Sequence, residues 1–343
     1  MASASTSRGV PGPSSILNES LDGRGCTVMS GLIDSSVDVG FASQVFAHSE
    51  KYGVTTIIDS TSSESEYRAI KHFMEDDPTL PSYFTSGSAI ASDNDGLNHL
   101  LNYRTVAKVS TPAEAVNAVY TKISLNKARF IKVIIDQPGL TLEVMSAAVK
   151  EAHRHGKLAI GHATQTESYQ LGVDAGFDVL TPVPVNGSID DDLAKTIGSK
   201  GIGIIPTLAF LEKAVPQWTA HGIQSDFAFA VEAVKKLNAA KAPICAGSGA
   251  NTSAALAIPF GQGLHEELRA LARAGLSNSD VLKAATTEPT KIFGLAGRGV
   301  VEVGQPADMI MVEGNPLDDL DVMSRIRHVW VRGLRVSQYA EDR

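Results

Sequence analysis

The chain has 343 residues, a formal net charge of −8 and 43% hydrophobic residues. This length is sufficient for one large domain, or for a domain with a small appendage. Basic and acidic residues are interspersed, and the acidic balance argues against nucleic acid or an anionic membrane as a partner. The two cysteines, Cys26 and Cys245, give no disulfide framework. Because the sequence also shows no membrane-spanning run and no apolar leader, we expect a cytoplasmic protein.

Strands and helices are predicted to alternate along the chain after a Ser-, Gly- and Pro-rich flexible tail at residues 1–24. Apolar, β-branched runs predict strands at 26–33, 54–58, 83–89, 130–135, 157–163, 177–183, 202–208 and 244–247. Amphipathic segments predict helices at 41–52, 63–76, 141–156, 165–175, 188–201, 225–241 and 264–274, and one that opens at Thr111-Pro112. Eight alternations without an internal repeat favour an α/β fold, a (β/α)8 TIM-like barrel over residues 25–278.

The C-terminal segment, residues 279–343, is predicted to add a helix at 279–295 and strands at 299–312 and 328–336. These late strands need a surface to pair with. We therefore expect a small β appendage, a β-sandwich remnant formed by the terminal segments.

Two residues in the strand–helix–strand unit at 130–164 are unusual for buried strands. Lys132 lies inside the first strand, and His162 lies near the end of the second. The short crossover predicts parallel strands, which are buried on both faces. A buried ammonium without a partner costs several kcal/mol, so Lys132 has a functional role, a satisfied salt bridge or a place at a strand end that reaches water. The face of the intervening helix that packs on the sheet is predicted to contain Leu142, Met145, Val149 and Ala152.

Polar side chains gather at the predicted carboxyl ends of the strands, where (β/α)8 barrels place their reacting groups. They are Asp34, Asp38, Asp59, His162, Thr181, Thr207 and Ser248. Carboxylates and an imidazole in one pocket suit general acid–base chemistry on a small molecule.

Eight stretches carry a specific family pattern in the same order along the chain. They are SGLID at 30–34, YGVTTIID at 52–59, FIKVI at 130–134, EAHRHGKLAIGHAT at 151–164, IPTL at 205–208, LHEELRALARAGLS at 264–277, KAATTEPTKIFGL at 283–295 and GQPADMIMVEGNPL at 304–317. Together they resemble the metal-dependent amidohydrolase superfamily, nearest its imidazolonepropionase-like branch. The resemblance implies a barrel that normally holds one or two metal ions at its mouth.

The resemblance also shows which metal ligands this chain has replaced. The family uses a His-x-His pair, a carboxylated lysine, two further histidines and an aspartate. Lys132 and His162 fall on the bridging lysine and the fifth-strand histidine. The other four ligand positions are altered, with Ser36, Asp38, Pro182 and Gly249 in place of three histidines and the aspartate.

Our leading interpretation is an enzyme of metal-independent acid–base chemistry, of the lyase, isomerase or cyclase type, with no cofactor. The predicted catalytic residues are Lys132, His162, Asp38 and Asp59, with Lys132 as an unmodified amine. The predicted substrate-binding residues are Ser36, Thr181, Thr207, Ser248 and His265. One alternative is a hydrolase of a C–N or ester bond with a single zinc ion on Asp38, Lys132 and His162, and another is an inactive binding protein. The expected partner is a small-molecule substrate, and a homo-oligomer is left open.

Overall fold

The structure, a computed structural model, describes residues 20–40, 45–75, 77–93, 106–125 and 127–336. Residues 1–19 of the predicted tail therefore lie outside the described residues. No helix in the described ranges is long and apolar enough to cross a membrane.

The described elements alternate in type along most of the chain. The strands are β1 (Cys26–Ser30), β2 (Leu32–Val37), β3 (Val54–Asp59), β4 (Ser82–Thr85), β5 (Ala89–Ala91), β6 (Val106–Lys108), β7 (Ile131–Ile134), β8 (Ala159–His162), β9 (Val179–Thr181), β10 (Gly203–Ile204), β11 (Met309–Glu313), β12 (Ile326–Val331) and β13 (Leu334–Arg335). The helices are α1 (Val45–Lys51), α2 (Glu64–Glu75), α3 (Pro112–Ser124), α4 (Leu142–Arg154), α5 (Thr166–Ala175), α6 (Asp191–Lys200), α7 (Leu208–Ala220), α8 (Phe227–Ala239), α9 (Gln262–Arg273), α10 (Asn278–Ala284) and α11 (Thr287–Phe293), with a 3₁₀ helix at Leu320–Ser324.

Parallel pairing joins the barrel strands in two sheets. One has the order β2-β3-β4, and the other has the order β10-β9-β8-β7-β5-β6. Strands β4 and β5 are three residues apart, and they pair with β3 and β7 respectively, so together they fill one barrel position. The bridges Ile204↔Ile244 and Val37↔Ala250 bring the segment 244–250 between β10 and β2. The arrangement has the eight strand positions that the sequence predicts.

The unit β7-α4-β8 forms for local reasons. The side chain of Thr141 accepts a hydrogen bond from the backbone N–H of Val144 and so caps α4. Gly156 follows the helix with φ of 63°, a backbone conformation that favours glycine. The buried face of α4 includes Met145, Val149 and Ala152 as predicted. Leu142 departs from the prediction, because it opens the helix on the solvent side and is 41% exposed.

A separate four-stranded sheet, with the order β1-β11-β12-β13, forms the predicted appendage. Its strand β1 pairs antiparallel with β11, from Cys26↔Glu313 to Ser30↔Met309. The predicted single strand 26–33 is therefore wrong, because the chain passes from the small sheet to the barrel at Gly31. A Cβ at this position would lie 2.2 Å from the Thr55 side chain, so only glycine fits the crossing. The barrel begins at Leu32 rather than at residue 25.

Apolar side chains fill the amino-terminal part of the barrel interior. Phe130 and Ile160 belong to this cluster, which Phe293 and Leu295 close from below. Successive side chains of a strand point to opposite faces, so Lys132 and His162 share the interior face with Phe130 and Ile160. The core thus places these two polar residues one layer nearer the carboxyl ends of the strands.

Candidate active site

Lys132 and His162 are brought together by the pairing of their strands. In the parallel ladder, Lys132 is opposite Ile160, and Ile134 is opposite His162. Both side chains are buried, with Lys132 3% and His162 6% exposed. The two residues therefore line the interior of the barrel near its carboxyl end.

Burial and two carboxylates set the charge state of Lys132. Burial lowers the pKa of its ammonium from 10.5 to about 8, while the charges of Asp38 and Asp59 act to raise that pKa. A substantial positive charge therefore remains on Lys132 at neutral pH. The charges of Asp38 and Asp59 therefore act on Lys132, as expected if these three predicted residues lie near one another.

Asp59 ends β3 and is held by hydrogen bonds from several groups. The hydroxyls of Tyr83 and Thr85 donate to Oδ2, and the backbone N–H groups of Val39 and Thr61 donate to Oδ1 over 3.4 Å each. Burial, followed by the charge of Asp38, raises the pKa of this carboxyl to about 6. Ile58 belongs to the interior cluster, so Asp59 follows it on the other face of β3, where its oxygens are engaged by Tyr83 and Thr85. Asp59 therefore acts on Lys132 through its charge.

His162 faces a carboxylate that the sequence analysis did not single out. Its Nε2 lies 3.8 Å from Oδ2 of Asp136. Thr164 fixes Asp136 with a backbone N–H at 2.7 Å and a hydroxyl at 2.8 Å. Burial, assisted by the charge of Lys132, holds the pKa of His162 well below 6.5, so its imidazole is neutral at pH 7. The signal for Asp136 was its place directly after the buried strand 130–135.

A second polar group lies beside the strand ends and contains Asp34, Ser248 and Glu267. The Ser248 hydroxyl donates to Asp34 Oδ2 at 2.6 Å and accepts from the backbone N–H of Ala250 at 2.9 Å. The Ser248 backbone N–H donates to Asp34 Oδ1 at 2.9 Å. The substrate-binding prediction for Ser248 is therefore wrong, because this fully buried hydroxyl is used within the fold.

His265 also has a different place from the predicted one. Its Nε2 lies 2.8 Å from the backbone carbonyl oxygen of Tyr52, and the two rings contact edge to face. Tyr52 precedes β3, at the amino end of the barrel, opposite the predicted mouth. The assignment of His265 to the substrate pocket is corrected accordingly. Ser36, Thr181 and Thr207 are buried at the carboxyl ends, where their substrate contacts stay predictions.

The described side chains of the site do not form a set of ligands for a metal ion. Among the described residues, no three His, Cys, Asp or Glu side chains are grouped so that they could hold a metal. The alternative set of Asp38, Lys132 and His162 has a third metal donor only if Lys132 is carboxylated. The side chains as they stand therefore do not fit a conventional metal centre, and we derive no catalytic step through one.

Several solved structures have a similar fold. A Xaa-Pro dipeptidase with bound methionine gives a TM-score of 0.75 at 21% identity, covering 91% of this chain and 87% of that one. Molinate hydrolase gives 0.74 at 14% identity, covering 93% and 85%. Ochratoxinase of A. niger gives 0.72 at 19% identity, covering 92% and 86%. A search of curated proteins gave no match. The (β/α)8 fold is thereby confirmed, whereas placement in the imidazolonepropionase-like branch stays a prediction.

A sequence profile of the Amidohydrolase family matches residues 51–336. This match overturns the expectation that the chain uses no cofactor, since the family is metal-dependent. Lyase, isomerase or cyclase chemistry finds no support among these similar structures, whose names are those of a dipeptidase, molinate hydrolase and ochratoxinase. The fold and the profile, which covers most of the sequence, establish that this chain belongs to the amidohydrolase family.

Proposed function

We propose that the chain is a hydrolase that cleaves an amide-type C–N bond in a small organic molecule. The observation that carries the proposal is the placement of Lys132 and His162 on the interior face of an amidohydrolase barrel, with the charges of Asp38 and Asp59 acting on Lys132. The names of the similar structures, among them a dipeptidase and a prolidase, support cleavage of such a bond. A similar fold does not identify the substrate, so the proposed chemistry is derived from the residues of the site.

Lys132 is suited to stabilise the oxyanion that develops when an amide carbonyl is attacked. Its ammonium lies in a water-poor interior, where a fixed charge acts strongly on a developing negative charge. The charges of Asp38 and Asp59 raise its pKa and so keep it protonated against the effect of burial. These two carboxylates therefore support the role of Lys132 through their charge.

His162 is suited to move the proton. Because its pKa lies well below 6.5, the neutral imidazole accepts a proton from the attacking water and returns it to the leaving amine. The carboxyl group of Asp136, 3.8 Å away and fixed by Thr164, carries a charge that favours the transient imidazolium. The same low pKa makes the imidazolium a strong acid, which suits protonation of a poor leaving group.

The test is release of a primary or secondary amine from a panel of N-acyl amino acids, Xaa-Pro dipeptides and aryl ureas. Each reaction is run on the purified chain as isolated, after chelation, and with added Zn²⁺ or Mn²⁺. We expect turnover of at least one class, and loss of that turnover in Lys132→Met and His162→Asn. Absence of amine release under all three conditions, in protein shown to be folded, would instead favour a binding protein.

A further inference from the structure

Helix α7 begins directly after a backbone conformation that is unfavourable for its residue. Thr207 has φ of 47° and ψ of 46°, in the left-handed region that β-branched residues rarely adopt. Among the described residues, the other non-glycine positions with positive φ are Lys127, Lys241 and Arg332, which are exposed, whereas Thr207 is 4% exposed. Such strain persists only where the surrounding structure fixes it.

The side chain that fixes the start of α7 comes from another helix. Thr207 makes no side-chain cap for α7. Instead Oε2 of Glu267, on α9, accepts a hydrogen bond from the backbone N–H of Ala209 at 2.7 Å, and the N–H of Leu208 also donates to this carboxyl. The first backbone N–H groups of a helix need partners from outside it, and Glu267 supplies them across 58 residues of sequence.

The same carboxyl group lies beside the strand ends of the barrel. Glu267 is fully buried, and the charge of Asp34 on β2 acts on it. On the other side of Thr207, Ile205 belongs to the apolar interior of the barrel. The turn at Thr207 therefore lies between an interior strand residue and a helix start that Glu267 holds in place.

We propose that Glu267 is a positioning residue, which fixes the first turn of α7 and thereby holds the Thr207 hydroxyl at the barrel mouth, where it contacts a polar group of the substrate. The inference rests on the proposed hydrolase function for the nature of that contact. The position of Thr207 is argued from the structure alone and does not require the proposed function. Glu267 itself touches no substrate and acts only through α7.

The test compares Glu267→Gln, which keeps an oxygen acceptor, with Glu267→Leu, which removes it. Glu266→Gln serves as the control, because Glu266 is the neighbouring residue on the same helix and is partly exposed, 3.8 Å from Lys213. In Glu267→Leu we expect amide hydrogen exchange at residues 208 and 209 to be about 10-fold faster, as for one lost hydrogen bond. Glu267→Gln and the control should exchange at the wild-type rate.

Kinetics separate positioning from general stability. On the substrate found for the wild type, Glu267→Leu should lower kcat/KM by about 10-fold or more through displacement of Thr207. Glu267→Gln should restore it. Thr207→Ala should cause a similar loss, and the double variant Glu267→Leu, Thr207→Ala should be no worse than either single one. Additive losses would overturn the proposal.

Two further results keep the inference testable on its own. Thr207→Gly should raise the melting temperature, because glycine adopts this conformation without strain, and should lower kcat/KM if the wild type is active. A lower melting temperature would contradict the strain on which the inference depends. If the wild type hydrolyses nothing, the proposed function fails, and a structure of Glu267→Leu with Thr207 still at positive φ would overturn the positioning role separately.

Discussion

Glu267→Gln offers a quantitative test of how this fold tolerates a buried acid. Burial raises the pKa of Glu267 from 4.5 to about 8, with a further contribution from the charge of Asp34. Its Oε1 makes no hydrogen bond with any described residue, so an ionised carboxylate there is poorly compensated. The native state therefore keeps this carboxyl protonated at neutral pH, whereas the unfolded chain releases the proton near pH 4.5.

The consequence is a loss of stability with rising pH. Between about pH 4.5 and pH 8 the native state binds one more proton at this site than the unfolded state, so each pH unit costs about 1.4 kcal/mol. Over the whole interval the cost is at most about 5 kcal/mol. Glutamine has no proton to lose, so the variant should gain stability over the wild type as the pH rises.

The assay is urea unfolding of wild type and Glu267→Gln at pH 5, 6, 7 and 8. We expect the difference in unfolding free energy to change by about 1 kcal/mol per pH unit in favour of the variant. Burial of the glutamine amide changes the unfolding free energy by an amount that is independent of pH. It therefore does not affect how the difference between the two proteins changes with pH. Buried acids that do not interact with Glu267, Asp59 among them, are common to both proteins and cancel. A difference that stays constant across this range would refute the reasoning.

Three further substitutions test the site and its surroundings. Lys132→Met should abolish most turnover yet raise the unfolding free energy at pH 7, since a buried ammonium with a pKa of about 8 instead of 10.5 is removed. A lower unfolding free energy would assign Lys132 to a structural salt bridge. His162→Asn should keep the melting temperature and lower kcat by about 10²–10⁴-fold, and unchanged kcat would remove His162 from the mechanism. Gly249→Ala should be at least about 1 kcal/mol more destabilising than Gly201→Ala in urea unfolding. Both glycines have positive φ, but only at Gly249 would a Cβ lie 2.7 Å from Phe210, so equal costs would show that this contact relaxes freely.

The parts of the fold that could be predicted from sequence are those whose signals are local. The unit β7-α4-β8 was predictable, because strand period, helix period and the cap at Thr141 agree over a short stretch. The placement of Lys132 and His162 on one interior face followed from that unit alone. The crossing at Gly31 was not predictable, since the apolar run continues through it and only the contact with Thr55 reveals the break.

Long-range contacts account for the errors at the site. Ser248 looked available for substrate, but its hydroxyl is taken by Asp34, 214 residues away. Thr207 is a residue type that often caps helices, but its side chain does not cap α7, and Glu267 binds the start of this helix instead. His265 belongs to a recognisable sequence pattern, yet only the contact with Tyr52 shows at which end of the barrel it lies. In each case the partner is remote in sequence, and the local pattern of residues does not indicate the contact.

The pairing of β1 with β11 has a consequence for biosynthesis. Cys26 is in register with Glu313, so β1 cannot pair until about 290 further residues have been synthesised. At ordinary elongation rates the ribosome needs roughly 15–60 s to add these residues. Throughout that interval the nascent chain carries an unpaired strand directly joined to β2, the strand that supplies Asp34 and Ser36 to the barrel. The small sheet is therefore the last part of the molecule to close, and nascent chains stalled before residue 309 should expose β1 to chaperones or to proteases.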